Sequence, residues 1–270
     1  MKRALLTLLA ISLLTACATS PTGRRQLMLI SPESAIVQSK AAYLDTMNDF
    51  DKQNKLVDDP KMADRVATIT GRLVTEAITM YPNSSNWEWS VAIIDDPETV
   101  NAWCMAGGRM AVYTGLFEKL KLTDAEFAQI MGHEISHALA NHTAERMSRA
   151  MATTLGVVAV GAMSDKPGVA MTGAAVAAKL ALELPNSRTA ESEADRIGME
   201  LAVRAGYDPD AAVTLWQKMG AVGGNGPPQF LSTHPAPGNR EEALAKMTPE
   251  MRKLNPTGRL APVHPIEIVR

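Results

Sequence analysis

The sequence predicts a single α+β domain that is mainly helical and carries a small antiparallel sheet. Two periodicities indicate this fold class: apolar residues recur at helical spacing in several segments, whereas they alternate with period two over residues 87–93. A chain of 270 residues, 46% of them hydrophobic, suits one ordinary domain or at most two small ones. The net charge of −2 argues against a nucleic-acid-binding protein, which would usually carry a basic excess.

The first 17 residues are typical of a lipoprotein export signal. A basic MKR start precedes an apolar run of 11 residues, ALLTLLAISLL, which is shorter than the ~20 residues that span a bilayer. The run leads into LTAC, from Leu14 to Cys17, which resembles a bacterial lipobox. We expect residues 1–16 to be a signal peptide, Cys17 to be lipidated and residues 17–30 to form a lipidated tether. The alternative is a plain signal peptide with a nearby cysteine.

The residue after Cys17 is Ala18 and not Asp, which resembles the default signal for outer-membrane delivery in Gram-negative lipoproteins. We therefore expect a protein that is lipid-anchored to the periplasmic face of the outer membrane. Lipidation of Cys17 would leave Cys104 without an intramolecular partner. Cys104 is expected to be a buried small hydrophobic residue, and a catalytic thiol is the alternative.

Local signals predict the elements of the first half of the chain. A serine N-cap followed by proline at 31–32 begins one helix, and apolar residues at helical spacing predict another over 60–80. Alternation over 87–93 predicts a strand, and a turn at Gly107–Gly108 precedes a further strand, RMAVYT. A capping box over 123–126 then begins a helix with a continuous apolar stripe.

The second half is predicted to be helical as well. Residues 151–182 are rich in small and apolar residues, but each apolar run is too short to span a bilayer. A buried or membrane-grazing helical hairpin is therefore expected there. Helices are also expected from 187 and from 208, and residues 223–239 form a Gly/Pro-rich loop.

The helix after the capping box contains HEISH, an H-E-x-x-H pattern. Residues four apart on a helix lie about 40° apart on one face, so His133 and His137 can offer two imidazoles to one metal ion. Glu134 lies beside that face, where it can act on a water as a general base. The alternative is an amphipathic helix with two incidental histidines, which an apolar face disfavours because unpaired imidazoles are costly to bury.

His142 follows in the same stretch. It lies about 140° around the helix from His137 and about 180° from His133, so it is expected to point away from both. We interpret His142 as a surface or helix-end histidine and not as a ligand.

A third zinc ligand is expected, and the segment SRTAESEADRIG offers one. Glu191 and Asp195 are four apart and share a helix face, so Glu191 could bind the metal while Asp195 accepts the N–H of a ligand histidine. Glu193 lies about 200° from Glu191 and should not join it. A charged, solvated helix face is the alternative for this segment.

HEISHALANH followed by SRTAESEADRIG resembles the gluzincin family of zinc metalloproteases that includes HtpX and the CAAX-prenyl proteases. TGRRQLMLIS at 22–31 and LSTHPAPGNR at 231–240 resemble its bacterial lipoprotein members of the LoiP and BepA kind. The resemblance implies a zincin-like metalloprotease domain over 31–250, a C-terminal tail over 251–270 and one Zn²⁺ per chain. It makes Glu191 the third ligand beside His133 and His137, with Asp195 in support.

The resemblance also implies further roles. NAWCMAGGRMAVYTGL resembles the family segment whose edge strand aligns substrate, and we expect an extended polypeptide to pair with the strand after Gly108. His234, in the T-H-P segment, is expected to approach the zinc as an inhibitory fourth ligand or to support the transition state; a loop residue without metal contact is the alternative. Substrates would be unfolded or misassembled envelope proteins, and envelope assembly proteins could be partners.

Two rival functions remain from the sequence. One is a non-proteolytic, chaperone-like or scaffold lipoprotein that retains a zinc site; Glu134 argues against it because a structural zinc needs no base. The other is a zinc hydrolase acting on peptidoglycan, which no glycan-binding motif supports.

Overall fold

The computed structural model describes residues 17–163, 168, 172, 187–222, 228–235 and 239–270. The expected mainly helical fold with small sheets is confirmed. The α-helices are α1 Pro32–Lys52, α2 Pro60–Met80, α3 Thr114–Leu120, α4 Asp124–Leu139, α5 His142–Met163, α6 Arg188–Arg204, α7 Asp210–Ala221, α8 Gln229–Thr233 and α9 Arg240–Met251. Short 3₁₀ helices span Pro82–Asn86 and Arg252–Leu254, and the strands are β1 Cys17–Thr19, β2 Arg25–Leu27, β3 Ser90–Ile94, β4 Ala102–Met105, β5 Arg109–Tyr113 and β6 Glu267–Val269.

The main sheet has the order β4-β5-β3-β6 and is mixed, whereas the sequence suggested an antiparallel one. Strand β3 runs parallel to both β5 and β6, and only β4 and β5 form an antiparallel pair. Gly107 and Gly108, with φ of 89° and 84°, turn the chain between β4 and β5. After this turn, β5 lies between β4 and β3 in the sheet. The expectation that the strand after Gly108 is the edge is therefore wrong, because β4 occupies that edge.

Residues 251–270, expected to be a tail, contribute to the fold. Strand β6 pairs with β3 through Ser90–Glu267, Val91–Ile268 and Ala92–Val269. A three-residue strand has too few positions to show a periodicity, so no pattern in the sequence predicted it.

Helices cover both faces of the main sheet. The larger core lies on one face, where α2 and α4 supply Val66, Ile69, Leu73, Ile130, Met131 and Ile135. On the other face, Tyr43 and Met47 of α1 pack against alternate residues of β3 and β5. Helix α4 is buried along almost its whole length, so its polar residues lie inside the protein and require partners.

The predicted N-cap of α1 and the capping box of α4 are confirmed. Ser31 accepts a hydrogen bond from the Ser34 N–H, and Thr123 and Glu126 bond each other's backbone N–H groups. Glu126 also accepts hydrogen bonds from Thr214 and Lys218, at 2.9 Å and 2.7 Å, which tie α4 to α7.

Replacing Glu126 by Gln should lower the stability in a pH-dependent way. Burial raises the pKa of Glu126, but hydrogen bonds from Lys218, Thr123 and Thr214 outweigh it and hold the pKa below its usual range. The stabilisation from this carboxylate is therefore present at neutral pH and is lost as the pH falls through the folded-state pKa. We expect Glu126→Gln to cost about 1–2 kcal/mol at pH 7 and less at about pH 3. Urea unfolding at both pH values measures the loss of stability, and Glu118→Gln, at an exposed position, is the control. A loss of stability in Glu126→Gln that does not change with pH would contradict the prediction.

Helix α5 continues through residue 163, and Met151, Leu155 and Val158 are exposed on it. Most of the hairpin expected over 151–182 lies outside the described residues. Within the described part of the chain, no helix has both the length and the apolar character needed to cross a bilayer.

Candidate metal centre

Helices α4 and α6 cross at two glycines. A Cβ atom on Gly132 would lie 2.6 Å from the carbonyl oxygen of Gly198, and one on Gly198 would lie 2.6 Å from the backbone nitrogen of His133. Both distances are far below normal contact, so this close approach requires glycine on both helices. The crossing places the polar residues of α6 directly beside the histidines of α4.

Four side chains converge there. Ligand atoms of His133, His137, Glu191 and His234 all lie within 4.8 Å of one another, and all four residues are buried. The Nε2 atoms of His133 and His137 are 3.1 Å apart, and His133 Nε2 lies 3.3 Å from Glu191 Oε2. His234, on the segment after α8, reaches Glu191 Oε1 at 3.2 Å through Nδ1.

The donor set fits a zinc ion. Imidazole nitrogen and carboxylate oxygen are both common zinc ligands, and two histidines with one glutamate make up a known catalytic set. Glu191 Oε2 is buried without a hydrogen-bond partner among the described residues. Burial raises the pKa of Glu191, but the neighbouring imidazoles of His133 and His234 outweigh it and hold the pKa far below its usual range. The carboxylate therefore stays ionised, as a metal ligand must.

Glu134 lies beside this group without belonging to it. Its Oε1 is buried and has no hydrogen-bond partner within the described part of the chain; it lies 3.4 Å from His234 Nε2. Burial raises the pKa of Glu134, although the charges of His234 and His133 act in the opposite direction. The backbone of Cys104 favours the charged form of this carboxyl, and helix α4 packs against the edge strand β4.

Asp195 and Arg240 support His133. His133 Nδ1 lies 3.0 Å from Asp195 Oδ1, the contact that the four-residue spacing on α6 suggested. Arg240 pairs with the same Asp195 oxygen, and its guanidinium lies 3.6 Å from the centre of the Trp216 ring. Burial lowers the pKa of His133, but the neighbouring carboxylates of Asp195 and Glu191 outweigh it and raise the pKa to about 9.

His142 is the first residue of α5, so it is a helix-end histidine as one of the two expected possibilities had it. It is buried and contacts His137, so the expectations of a surface position and of a side chain pointing away from His137 are wrong. His142 is 1% exposed, and its Nδ1 lies 2.8 Å from His137 Nδ1. The helical-wheel argument assumed a continuous helix, but α4 ends at Leu139 and Asn141 has a φ of 56°. This turn redirects the chain and brings His142 behind His137, on the side away from the metal ligands.

Cys104 and Glu193 lie where the sequence argument placed them. Cys104 is buried, and burial raises the pKa of its thiol well above the usual value, which disfavours a nucleophilic thiolate. Glu193 is outside the four-residue group, as expected. It is nevertheless 5% exposed and bonds His142 Nε2 at 3.1 Å, so this part of α6 is not a solvated face.

Sequence reasoning missed the charged residues that surround the centre. Arg240 is the last residue of LSTHPAPGNR, the stretch whose resemblance to the family was the available signal. Arg24 contacts Glu145 and Glu193 across 121 and 169 positions of the chain. Contacts at such separations have no periodicity within one sequence, so no local pattern could predict them.

Comparisons with known proteins agree on one family. The sequence profile of peptidase family M48 matches residues 60–248, a span that holds both motif helices and His234. The chain is 32% identical over 254 residues to the mitochondrial metalloendopeptidase OMA1 of Bos taurus, covering 90% of this chain and 48% of that protein.

Relatives from other organisms match in the same way. The mitochondrial metalloendopeptidase OMA1 of Arabidopsis thaliana is 39% identical over 158 residues, which cover 58% of this chain and 31% of that protein. The beta-barrel assembly-enhancing protease of Escherichia coli K12 is 29% identical over 208 residues, covering 74% of this chain and 41% of that protein. The chain thus spans about half the length, or less, of these curated relatives.

Proposed function

Because the chain belongs to peptidase family M48, we propose that it is a zinc-dependent endopeptidase of the cell envelope that degrades misfolded or misassembled envelope proteins. The observation that supports this most strongly is the position of Glu134. Its buried carboxyl oxygen has no hydrogen-bond partner among the residues that the structure describes, and it lies next to two histidines and a glutamate that suit zinc. A zinc with a purely structural role needs no such base beside it.

The proposed mechanism divides the work among few side chains. His133, His137 and Glu191 would hold one Zn²⁺, which would supply Lewis-acid polarisation of the scissile carbonyl and a more acidic water. Glu134 Oε1 takes the proton of the attacking water and passes it to the leaving amine. Burial raises the pKa of Glu134, which helps it hold this proton between the two transfers. Asp195 fixes the His133 ring by accepting its Nδ1–H.

His234 closes the site in the arrangement described here. Its Nδ1 lies 3.3 Å from His133 Nε2, and its Nε2 lies 3.4 Å from Glu134 Oε1. A fourth protein ligand would take the position that a catalytic zinc keeps open for water or substrate. We therefore propose that this arrangement is a latent state and that His234 must leave for cleavage to proceed.

His234→Ala should raise basal cleavage by about tenfold, because a ~1.4 kcal/mol preference for the closed arrangement would be removed. Initial rates on an unfolded polypeptide measure this. His264→Ala, at a histidine whose backbone contacts α2, is the matched control and should leave the rate unchanged. A clear loss of activity in His234→Ala would instead assign His234 to support of the transition state.

An extended substrate would lie along β4. This strand is an edge of the main sheet and packs against α4, the helix that carries Glu134. Backbone pairing with an edge strand recognises an extended chain with little demand on its sequence, which suits unfolded polypeptides as substrates.

The envelope location rests on the N-terminal sequence. Cys17 is exposed at the start of β1, which leaves it accessible to a lipid anchor. The bacterial relative named for β-barrel assembly supports outer-membrane proteins as substrates and assembly proteins as partners. Palmitate labelling of the wild type and of Cys17→Ser tests the anchor, and equal labelling of both proteins would refute it.

Cleavage assays with and without a chelator test the proposed activity. The wild type should cleave an unfolded polypeptide and lose that activity when zinc is removed. Glu191→Gln should lose both zinc and cleavage, whereas Glu200→Gln on the same helix should lose neither. Retention of zinc and activity by Glu191→Gln would refute the ligand set. Zinc binding without cleavage, even in His234→Ala, would favour the scaffold function, which gains some support from the four converging side chains.

A further inference from the structure

We infer that the N-terminal hairpin β1–β2 is a positioning element of the metal centre, acting through Arg24, Glu193 and His142 on the ligand His137. This inference rests on the proposed ligand set and goes beyond it. It assigns a role in metal binding to a segment that lies outside the span matched by the family profile, residues 60–248.

His137 has an unusual support for a metal-binding histidine. Its Nε2 faces the other ligands, 3.1 Å from His133 Nε2, so its Nδ1 carries the proton. That Nδ1 lies 2.8 Å from His142 Nδ1, which must accept the hydrogen bond. His142 then carries its own proton on Nε2, which donates to Glu193 Oε2 at 3.1 Å. Only this arrangement of protons allows His137 to bind metal through Nε2 and satisfies both contacts.

Glu193 is in turn fixed by the hairpin. Arg24 Nε donates to Glu193 Oε2 at 3.0 Å, and Thr22 Oγ1 donates to Glu193 Oε1 at 2.6 Å. The other two guanidinium nitrogens of Arg24 bond both oxygens of Glu145, at 2.8 Å and 2.7 Å. Such charge-assisted, bidentate contacts hold a carboxylate in one orientation.

A second contact joins the hairpin to the end of the motif helix. Gln26, which is 2% exposed, donates to the Ala140 carbonyl at 2.7 Å and to Glu145 Oε2 at 3.0 Å. Ala140 is the C-cap of α4, directly after the helix that carries His133 and His137. The hairpin therefore holds the end of α4, the start of α5 and the Glu193 side of α6 in one arrangement.

Loss of Arg24 would leave Glu193 buried beside His142 without its cation. An unpaired buried carboxylate is costly, so Glu193 would turn away from His142 towards other partners or solvent. In either case His142 loses its acceptor, and the orientation of the His137 ring is no longer fixed. Removing such outer partners typically weakens metal binding by about 10–100-fold.

The test measures zinc affinity in the full chain by competition with a chromogenic chelator. Arg24→Gln should bind zinc about tenfold more weakly than the wild type, with unchanged secondary structure by circular dichroism. Arg25→Gln removes the same charge from the neighbouring, exposed position and should bind as the wild type does. Equal zinc affinity in Arg24→Gln and Arg25→Gln would overturn the inference, even if Arg24→Gln melted at a lower temperature.

Two further variants separate positioning from general destabilisation. Arg24→Lys keeps a cation near Glu193 and should recover part of the lost affinity. Arg24→Gln combined with His142→Asn should bind zinc no more weakly than His142→Asn alone, because both changes break one chain of contacts. Additive losses of zinc affinity would show that Arg24 and His142 act independently, and this result would overturn the inference. If Arg24→Gln does not fold, Glu193→Gln takes its place. It should also bind zinc about tenfold more weakly than the wild type, and wild-type affinity would overturn the inference.

Failure of this inference is distinguishable from failure of the ligand set. If Glu191→Gln loses zinc while Arg24→Gln binds it normally, only the role of the hairpin is refuted. If Glu191→Gln keeps its zinc, the ligand set is refuted, and the inference falls with it.

Discussion

Glu134→Gln should abolish cleavage and leave zinc bound. Glutamine has nearly the same shape as glutamate but cannot accept the proton of the attacking water, so the rate should fall by about 10²–10⁴-fold. Glu134 is outside the four-residue group, so the zinc content should stay at one ion per chain. Initial rates on an unfolded polypeptide, together with metal analysis of the purified protein, measure both quantities.

The control for Glu134→Gln lies on the same helix. Glu126→Gln also replaces a buried glutamate of α4, but at the capping box, and should retain activity at neutral pH. Stability gives a further check, because burial penalises the charged form of Glu134 and Gln removes that cost. The Glu134→Gln protein should therefore be at least as stable as the wild type. Full activity, or loss of zinc, would contradict the proposed role of Glu134.

Gly198→Ala should weaken both the fold and the metal centre. Its Cβ would lie 2.6 Å from the His133 nitrogen and 2.8 Å from the Gly132 carbonyl carbon. These are backbone atoms, which cannot rotate out of the way, so α4 and α6 must separate. We expect a loss of about 1–3 kcal/mol in the free energy of unfolding. Zinc affinity should fall by about tenfold or more, because Glu191 and Asp195 move with α6.

Gly156→Ala is the matched control for this substitution. Gly156 lies in helix α5, and no atom of the described residues is within 4 Å of the position that its Cβ would take. Alanine should therefore be neutral there or stabilise the helix by up to about 1 kcal/mol. Urea unfolding gives the stability of both variants, and competition with a chelator gives their zinc affinity. Equal behaviour of the two variants would show that the close helix crossing does not position the ligands.

The sequence predicted best those features that local chemistry determines. The Ser31 N-cap, the capping box at Thr123 and Glu126 and the turn at Gly107–Gly108 depend on neighbouring residues, and all are present. The spacing of the two histidines on α4 and of Glu191 and Asp195 on α6 likewise places each pair on one helix face. Family membership is confirmed by the M48 profile, whereas the closer assignment to bacterial lipoprotein members stays a prediction.

The errors arose where the chain changes direction or pairs over long distances. The position of His142 was wrong because a helical wheel carries no information beyond the end of its helix, and Asn141 breaks α4. The edge strand was misassigned because strand order depends on how the β4–β5 hairpin inserts beside β3, which no single segment encodes. Arg24 and Glu193 form a contact that only the folded chain brings about.

The pairing of β6 with β3 has a consequence for solubility. An open sheet edge is a template on which another chain can add, and the unfolded substrates proposed above would supply many such chains. The sheet edge opposite β4 is β6, a strand of only three residues that begins at Glu267. Arg270 follows it, and its Nη1 lies 3.0 Å from Asp58 Oδ1. A short edge flanked by charges is a poor template for aggregation. The C-terminus thereby leaves β4, beside Glu134, as the longer edge open to an incoming chain.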